Sequence, residues 1–122
     1  MSKHKEIKQG DVYMVNLSND SIDHETNKVR PCVIFSCNRR NDNSNNIFMF
    51  PITHANKKRQ PCHYKLYKKD YDFFTYSVNT VLCEDGRSIS KKRLERKLGS
   101  INLEDLLEIL KIKEYIFIEK IT

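Results

Sequence analysis

Apolar and polar residues alternate along several short segments, which is the pattern of a β-strand with two different faces. In residues 7–17, Val12 and Met14 fall on one side, and Tyr13 and Val15 fall on the other. Further short apolar runs lie at 29–36, 47–52, 63–67, 79–84 and 87–89. Several of these runs are rich in the β-branched and aromatic residues that favour strands. The pattern therefore predicts five or more short strands.

The pattern changes near the C-terminus, where apolar residues recur with helical spacing. Four leucines lie at i, i+3, i+4 and i+7: Leu103, Leu106, Leu107 and Leu110. This spacing predicts an amphipathic helix. Asn102 precedes it as a candidate N-cap, and Glu104 and Asp105 lie in its first turn, where the helix dipole favours anions. Residues 115–118 either continue this helix or form a last strand.

Polar segments separate these elements and predict turns and loops. We expect loops at 18–27, 38–46 and 53–60, and a single helical turn at 90–93. The chain shows no internal repeat and no linker, so we treat residues 1–122 as one domain. Short strands with one late helix predict a small, curled antiparallel sheet.

Composition adds a possible partner and a compartment. The formal net charge is +6 and the isoelectric point is about 9.2, which suggests an anionic partner, nucleic acid first, although a solvated lysine-rich surface would give the same values. None of the four cysteines forms a C-x2-C pair, and Cys32 and Cys83 lie in apolar runs typical of a core. With no apolar run of about 18 residues and no signal peptide, we expect a cytoplasmic protein.

Two strand ends carry the candidate chemistry. Arg30 precedes Pro31 at the start of one apolar run, and Thr53 ends the run that contains Pro51. If these runs form a hairpin, a guanidinium and a hydroxyl share one rim. A guanidinium matches phosphate oxygens geometrically and a hydroxyl adds a donor, so the pair would form a minimal phosphate site. The alternative is an ordinary hairpin with two polar surface residues.

Four motifs follow one another in a fixed order: "QGDVY", "E-x4-RP", "PIT" and "RSI-x3-RL". In this order they resemble the MazF/PemK/Kid family of toxin ribonucleases. The resemblance implies a mainly β (α+β) fold, an SH3-like barrel of the CcdB/PemK kind with five to seven antiparallel strands, a C-terminal helix and a two-fold homodimer. It also implies a sequence-selective endoribonuclease that cleaves single-stranded RNA (mRNA) and is bound by a cognate antitoxin.

The resemblance assigns catalytic roles to the residues at the strand ends. Arg30 occupies the position of the family's catalytic arginine and would stabilise charge on the phosphate. Thr53 matches the catalytic threonine and would hydrogen-bond a phosphoryl oxygen or position a proton. RNA can be cut without metal when its 2′-hydroxyl attacks phosphorus, which gives a 2′,3′-cyclic phosphate and a 5′-hydroxyl. This route still needs groups that move two protons.

Three residues are candidates for that proton transfer. His24 matches a histidine of the Kid-like branch, Glu25 matches the family's loop glutamate, and Glu84 aligns with an acid that serves as a base in the Kid-like branch. That branch also carries an arginine two residues before the acid, whereas this chain has Leu82. Which of the three takes the 2′ proton stays open.

The remaining basic and aromatic residues suggest substrate binding. The basic residues that would contact RNA phosphates are Lys28, Lys57, Lys58, Arg59 and Arg87. Tyr64, Tyr67 or Phe73 would offer faces for base stacking, although core packing is the simpler use of each.

Other readings of the same sequence remain. The histidines at 4, 54 and 63 complete no metal site in the sequence, so we predict no metal and no cofactor. A non-enzymatic gyrase poison of the CcdB type, or an inactive module that binds nucleic acid or antitoxin, is the alternative function.

Overall fold

The computed structural model describes residues 6–18, 28–54 and 62–121. Seven strands lie in these described residues: β1 (Asp11–Asn16), β2 (Val29–Ile34), β3 (Asn46–Thr53), β4 (His63–Tyr67), β5 (Val78–Leu82), β6 (Arg87–Ser90) and β7 (Leu94–Ser100). The same described ranges contain two α-helices: α1 (Asn38–Asn43) and α2 (Leu103–Ile121). No helix in the described part is long and apolar enough to cross a membrane.

All strand pairings are antiparallel, in the order β4-β5-β3-β2-β1-β7. Strand β6 pairs with the first half of β3, opposite Asn46–Met49, and β5 pairs with the last two residues of β3. The long strand β3 therefore joins three neighbours. The predicted mainly β fold with a C-terminal helix is confirmed, with strands β4 and β7 at the two edges of the sheet.

The central strands are buried on both faces because alternate residues enter two different apolar clusters. The helix-side cluster includes Val12, Val33 and Phe50, and Ile109 of α2 packs into it. The inner cluster consists of Ile7, Tyr13, Val15, Cys32, Ile34, Ile47, Met49, Ile89 and Leu94. It combines residues of the central strands with residues of β6 and β7, so the sheet curls around it. The predicted core positions of Cys32 and Cys83 are confirmed, since both are buried.

The prediction of a polar loop at 38–46 was wrong, because residues Asn38–Asn43 form α1. The polar side chain of Asn41 is the reason. It is 2% exposed, its amide donates to the carbonyl of Ser36 at 2.8 Å, and its carbonyl accepts from the Ser36 hydroxyl at 2.5 Å. A buried amide with satisfied hydrogen bonds anchors this helix. A sequence pattern that equates asparagine with a loop cannot detect such a contact.

Strand β7 was not predicted from the sequence. Its central residues Glu95, Arg96 and Lys97 are exposed, because β7 is an edge strand. Charged residues are common on edge strands, where they discourage pairing with other chains. Its pairing with β1 also contains two register shifts, which remove the regular alternation that a pattern search detects.

The C-terminal helix is confirmed and is longer than the leucine pattern required. It continues through 115–118 as helix to Ile121. Asn102 is its N-cap, since its side-chain oxygen accepts from the backbone N–H of Asp105 at 2.8 Å. The leucine stripe is only partly buried, however. Leu103 and Leu107 are exposed, whereas Leu106, Ile109 and Ile112 pack against the helix-side cluster.

Candidate active site

The register of β2 and β3 carries Arg30 and Thr53 to the same end of the sheet. The pairing ends at Cys32↔Pro51, and Arg30 and Thr53 each lie two residues farther along their strands. Because side chains alternate between faces, both lie on the face that carries Cys32. Arg30 pairs with Val15 of β1 and is exposed, whereas Thr53 pairs with Thr80 of β5 and is 5% exposed.

A second arginine, Arg87, lies near the same thiol as Arg30. Arg87 is the first residue of β6 and pairs with Met49, on the face that contains the inner cluster. Burial raises the pKa of the Cys32 thiol to about 12, against the opposing effect of the positive charges of Arg87 and Arg30. Both guanidinium groups therefore lie close enough to the Cys32 thiol to affect its pKa.

Arg87 also lines an open groove. Its lining consists of Leu17, Met49, Pro51, Glu84, Asp85, Gly86 and Arg87. Met49 and Pro51 give it an apolar floor, while Glu84 and Arg87 contribute charge of both signs. Within residues 6–18, 28–54 and 62–121, neither Arg30 nor Arg87 forms an ion pair. An exposed guanidinium with no carboxylate partner keeps its donors available for an anionic ligand.

Gly86 allows the groove wall to lie close to the core. A Cβ atom at this position would lie 2.5 Å from Cε1 of Phe50 and 2.6 Å from Cζ of Phe48. Only a residue without a side chain fits there. Gly86 therefore sets how closely the short 3-10 turn Cys83–Asp85 and the start of β6 approach β3. The positions of Glu84 and Arg87 depend on this contact.

Glu84 lies in that 3-10 turn rather than at the end of β5, which stops at Leu82. Its carboxylate lies 3.0 Å from Nε2 of His63. Burial alone would raise the pKa of the Glu84 carboxyl, but hydrogen bonds from its own backbone, from His63 and from Cys62 outweigh it, so the pKa is lowered. Glu84 is thus an anion at neutral pH and a weakened proton acceptor.

Several candidate residues lie outside the described residues: His24, Glu25, Lys57, Lys58 and Arg59. Lys28 is described and exposed. Its carbonyl accepts from the backbone N–H of Leu17 at 2.9 Å, and Leu17 lines the groove, so Lys28 lies at the groove's edge. Of the predicted RNA-binding residues, Arg87 therefore lines the groove, and the backbone of Lys28 lies next to the groove residue Leu17.

The aromatic candidates divide between core and surface. Tyr64 packs against the helix-side cluster and donates its hydroxyl to Asp105. Phe73 packs against the same cluster and lies over Gly99. Only Tyr67 is exposed, at 39%. His54 is also not in the groove. Its ring stacks on Tyr76, with centroids 3.8 Å apart, beside a separate cavity that Arg96 also lines.

Two of the sequence motifs turn out to hold the fold together. In "QGDVY", Asp11 is 2% exposed, accepts from the Ser100 hydroxyl at 2.7 Å and pairs with Lys97 at 3.3 Å, so it joins β1 to β7. Gly10 has a φ of +95°, which glycine adopts without strain. In "RSI-x3-RL", the Arg93 guanidinium donates to the carbonyls of Asn16 at 3.0 Å and Ser18 at 2.8 Å.

Sequence reasoning missed the surroundings of Glu84. It examined His63 together with the other histidines and found no metal-binding group. In the structure, ligand atoms of Cys62, His63 and Glu84 all lie within 4.8 Å of one another. The adjacent cysteine and histidine were a visible signal, but the glutamate is 21 residues away and joins them only through the pairing of β4 with β5.

Comparison with known proteins gives one consistent result. Residues 8–115 match the model of a family described as PemK-like, MazF-like toxins of type II toxin–antitoxin systems. The chain is also similar to a Staphylococcus epidermidis protein named Endoribonuclease MazF, with 35% identity over 104 residues that cover 84% of both proteins.

Solved structures share the fold. A MazE–MazF crystal structure from Deinococcus radiodurans superposes with a TM-score of 0.74 at 20% identity, covering 91% of this chain and 95% of the other. An endoribonuclease in complex with its cognate antitoxin, from a mycobacterial species, gives a TM-score of 0.70 at 18% identity, covering 88% and 90%. The resemblance seen in the sequence is confirmed, and the chain belongs to the PemK-like, MazF-like family of type II toxins.

Proposed function

We propose that this toxin is a sequence-selective endoribonuclease that cuts single-stranded RNA, including mRNA, without a catalytic metal. Its substrate supplies the nucleophile: the 2′-hydroxyl attacks the adjacent phosphorus, the bond to the 5′ oxygen breaks, and the products carry a 2′,3′-cyclic phosphate and a 5′-hydroxyl. One observation supports this proposal most strongly. Arg87 lines an open groove, Arg30 lies near the same buried Cys32 thiol as Arg87, and neither arginine forms an ion pair among the described residues.

Two guanidinium groups suit the charge that develops during this reaction. As the 2′ oxygen attacks, negative charge accumulates on the phosphoryl oxygens. Cationic donors that are already in place stabilise this charge more than that of the ground state, which lowers the barrier. A planar guanidinium can also bind two phosphate oxygens at once. In this proposal Arg30 and Arg87 bind the scissile phosphate, and Lys28 binds a neighbouring one.

The reaction also requires two proton transfers. A base removes the 2′ proton and an acid protonates the leaving 5′ oxygen. Because its pKa is lowered, Glu84 is a weaker base than an ordinary glutamate. We therefore place His24 and Glu25 ahead of Glu84 as the base, and we assign Thr53 to positioning the phosphate. An unchanged pH–rate profile in His24→Gln would contradict a proton-transfer role for His24.

Partners follow from the same proposal. Structures of relatives include complexes of MazE with MazF and of an endoribonuclease with its cognate antitoxin. We propose that this toxin is likewise bound by a cognate antitoxin, whose acidic, partly disordered segment covers the groove. The net charge of +6 supports an acidic partner. We further propose a homodimer located in the cytoplasm.

Cleavage in the presence of a chelator tests the reaction. The purified protein is incubated with a mixed-sequence RNA in EDTA, and the product ends are identified. The proposal predicts cleavage with 2′,3′-cyclic phosphate and 5′-hydroxyl ends. A single 2′-deoxy nucleotide at the cut site must abolish cutting at that site. A requirement for Mg²⁺, or cutting at the 2′-deoxy position, would contradict the mechanism. No cleavage of any RNA would favour a toxin that acts by binding alone.

Substitution of Arg87 tests the observation that carries the proposal. Arg87→Ala is expected to lose cleavage while it retains the fold, because its side chain is exposed at the groove. Arg96→Ala is the matched control. It removes another exposed arginine, which lines the other cavity beside Tyr76, and it should cleave as the parent does. Equal losses in both variants would mean that only total charge matters.

A further inference from the structure

Three side chains next to the groove form a group whose chemistry the reaction above does not use. Cys62, His63 and Glu84 place a thiol, an imidazole and a carboxylate within 4.8 Å of one another. The Glu84 carboxylate lies 3.0 Å from Nε2 of His63, and its side chain is 37% exposed, against 6% for His63. His63 therefore lies on the buried side of this group, and Glu84 lies on its solvent-accessible side, facing the groove.

The strands hold these donors in place. His63 pairs with Leu82 across β4 and β5, and the backbone N–H of Cys83 donates to the carbonyl of Cys62 at 3.1 Å. Cys62 and His63 are adjacent in sequence, and Glu84 lies one residue beyond Cys83, which is opposite Cys62. The pairing of the backbone therefore sets the distances among the three donors.

This donor set suits one class of ion. Zn²⁺ takes cysteine sulfur, histidine nitrogen and carboxylate oxygen, at about 2.0–2.3 Å, in tetrahedral sites. Donor atoms within 4.8 Å of one another need only small side-chain movements to reach such an arrangement. The exposure of Glu84 leaves room for water as the fourth ligand. Mg²⁺ and Ca²⁺ prefer sites made entirely of oxygen, which one carboxylate cannot supply. The alternative is a plain His63–Glu84 ion pair with a cysteine beside it.

We propose that Cys62, His63 and Glu84 bind a Zn²⁺-class ion, and that this ion inhibits the toxin. Inhibition rests on the proposed RNA cleavage, whereas binding does not. Glu84 lines the groove together with Arg87, so an ion held by Glu84, with its bound water, adds bulk where the RNA backbone would pass. The ion would also pull the 3-10 turn Cys83–Asp85 toward β4 and away from its place beside Arg87. Such a metal is inhibitory and takes no part in cleavage.

Metal binding is tested first, without RNA. Co²⁺ is titrated into chelator-treated protein as a spectroscopic substitute for Zn²⁺. The proposal predicts a thiolate-to-cobalt charge-transfer band, visible bands of tetrahedral Co²⁺, and loss of both on addition of Zn²⁺. Cys62→Ser must lose the charge-transfer band. Cys37→Ser, which alters an exposed cysteine elsewhere, must keep it. No band in the parent protein, or a band that survives in Cys62→Ser, would overturn the site.

The other ligands are then tested by affinity. His63→Gln is expected to weaken Zn²⁺ binding by at least about tenfold. Removing a residue that only hydrogen-bonds a metal ligand already costs about 10–100-fold in affinity, and His63 is proposed to be a ligand itself. Thermal unfolding of each variant without metal shows whether it is folded. If His63→Gln is folded and binds Zn²⁺ as the parent does, the assignment of His63 is wrong.

Inhibition is tested last, on RNA cleavage. Added Zn²⁺ should reduce cleavage by the parent and by Cys37→Ser, and excess EDTA should restore it. Cys62→Ser, which has no role in the proposed reaction, should cleave normally and resist Zn²⁺. Equal inhibition of Cys62→Ser would overturn the inhibitory role. If no variant cleaves RNA, the proposed function fails, while the cobalt titration still decides whether the metal site exists.

Discussion

The two sides of the sheet each carry a set of polar groups, and the two sets differ in whether they have partners within the protein. On the helix side, Asp105 accepts hydrogen bonds from the hydroxyls of Tyr64 and Tyr71, and the Tyr71 hydroxyl also accepts from the backbone N–H of Asn102 at 3.0 Å. On the side of the inner cluster, Arg87 lines an open groove, and neither Arg87 nor Arg30 forms an ion pair in the described part of the chain. The tyrosine–Asp105 network satisfies its polar groups internally, whereas the two arginines leave their charge available.

This difference indicates which residues serve stability and which serve a ligand. A half-buried polar group costs stability unless it is hydrogen-bonded, so the tyrosines and Asp105 form a closed network that fixes the start of α2 on β4. An exposed guanidinium without an ion-pair partner costs little folding free energy, because water solvates it when no anion is bound. The contrast predicts that substitutions on the helix side reduce stability, while those at the groove reduce activity.

The largest expected effect is at Arg30. Arg30→Ala should reduce RNA cleavage by about 10²–10³-fold, the usual cost of removing one donor to a developing negative charge. Its unfolding free energy should change by no more than about 0.5 kcal/mol, as is usual at the surface. Single-turnover cleavage and thermal unfolding measure the two effects. A large loss of stability with unchanged cleavage would reverse the assignment of the two sides.

Next in size is the helix-side network. Asp105→Asn should lower the unfolding free energy by about 1.5–3 kcal/mol, because it weakens hydrogen bonds to a charged acceptor. The folded variant should still cleave RNA. Glu104→Gln is the control, since it removes an exposed charge from the same helical turn and keeps the network. Equal losses in both variants would show that the helix dipole, and not the tyrosine bonds, carries the effect.

The same network should weaken at alkaline pH. Burial raises the pKa of the Tyr71 hydroxyl from 10.0 to about 12. The hydrogen bond from the Asn102 N–H lowers this pKa, whereas the hydrogen bond to Asp105 raises it further. A raised tyrosine pKa means that the folded state favours the neutral phenol. The resulting stabilisation is complete below pH 10 and is lost as the pH rises toward 12. Asp105→Asn should reduce this dependence.

Gly86 links the two sides. Its neighbours Glu84 and Arg87 line the groove, and its backbone packs against Phe48 and Phe50. Gly86→Ala should cost about 1–3 kcal/mol through overpacking against Phe48 and Phe50. It should also reduce cleavage, since Glu84 and Arg87 flank it. Adding Phe48→Leu makes room and should recover part of both losses. Full stability in Gly86→Ala alone would mean that the turn moves away freely.

The smallest expected effect is at Arg93, which holds the backbone at Asn16 and Ser18. Arg93→Ala should lower stability by about 1 kcal/mol, the net value of typical hydrogen bonds. Amide hydrogen exchange near residues 16–18 should increase, with a modest loss of cleavage because Leu17 lines the groove. The neighbouring exposed Lys92→Ala serves as control. If amide exchange near residues 16–18 is unchanged in Arg93→Ala, Arg93 does not hold the backbone beside the groove.

Much of the fold could be predicted from the sequence because the relevant signals are local. Alternation identified the strands, and the bounds of β4 at 63–67 agreed with the structure. Asn102 was recognised as an N-cap because a cap acts within one helical turn. The helix α1 and the strand β7 were missed for the opposite reason. The first is fixed by the contact of Asn41 with Ser36, and the second by its pairing with β1.

The sequence by itself determined the family, most of the strands, the C-terminal helix and the placement of Arg30 and Thr53 at strand ends, because short motifs and periodicity record these directly. Only the tertiary structure decided that Arg87 lies near the same thiol as Arg30 and that Cys62, His63 and Glu84 meet. It also decided that Leu103 and Leu107 face outward. These arrangements depend on strand register and on the docking of α2, which join residues far apart in the chain.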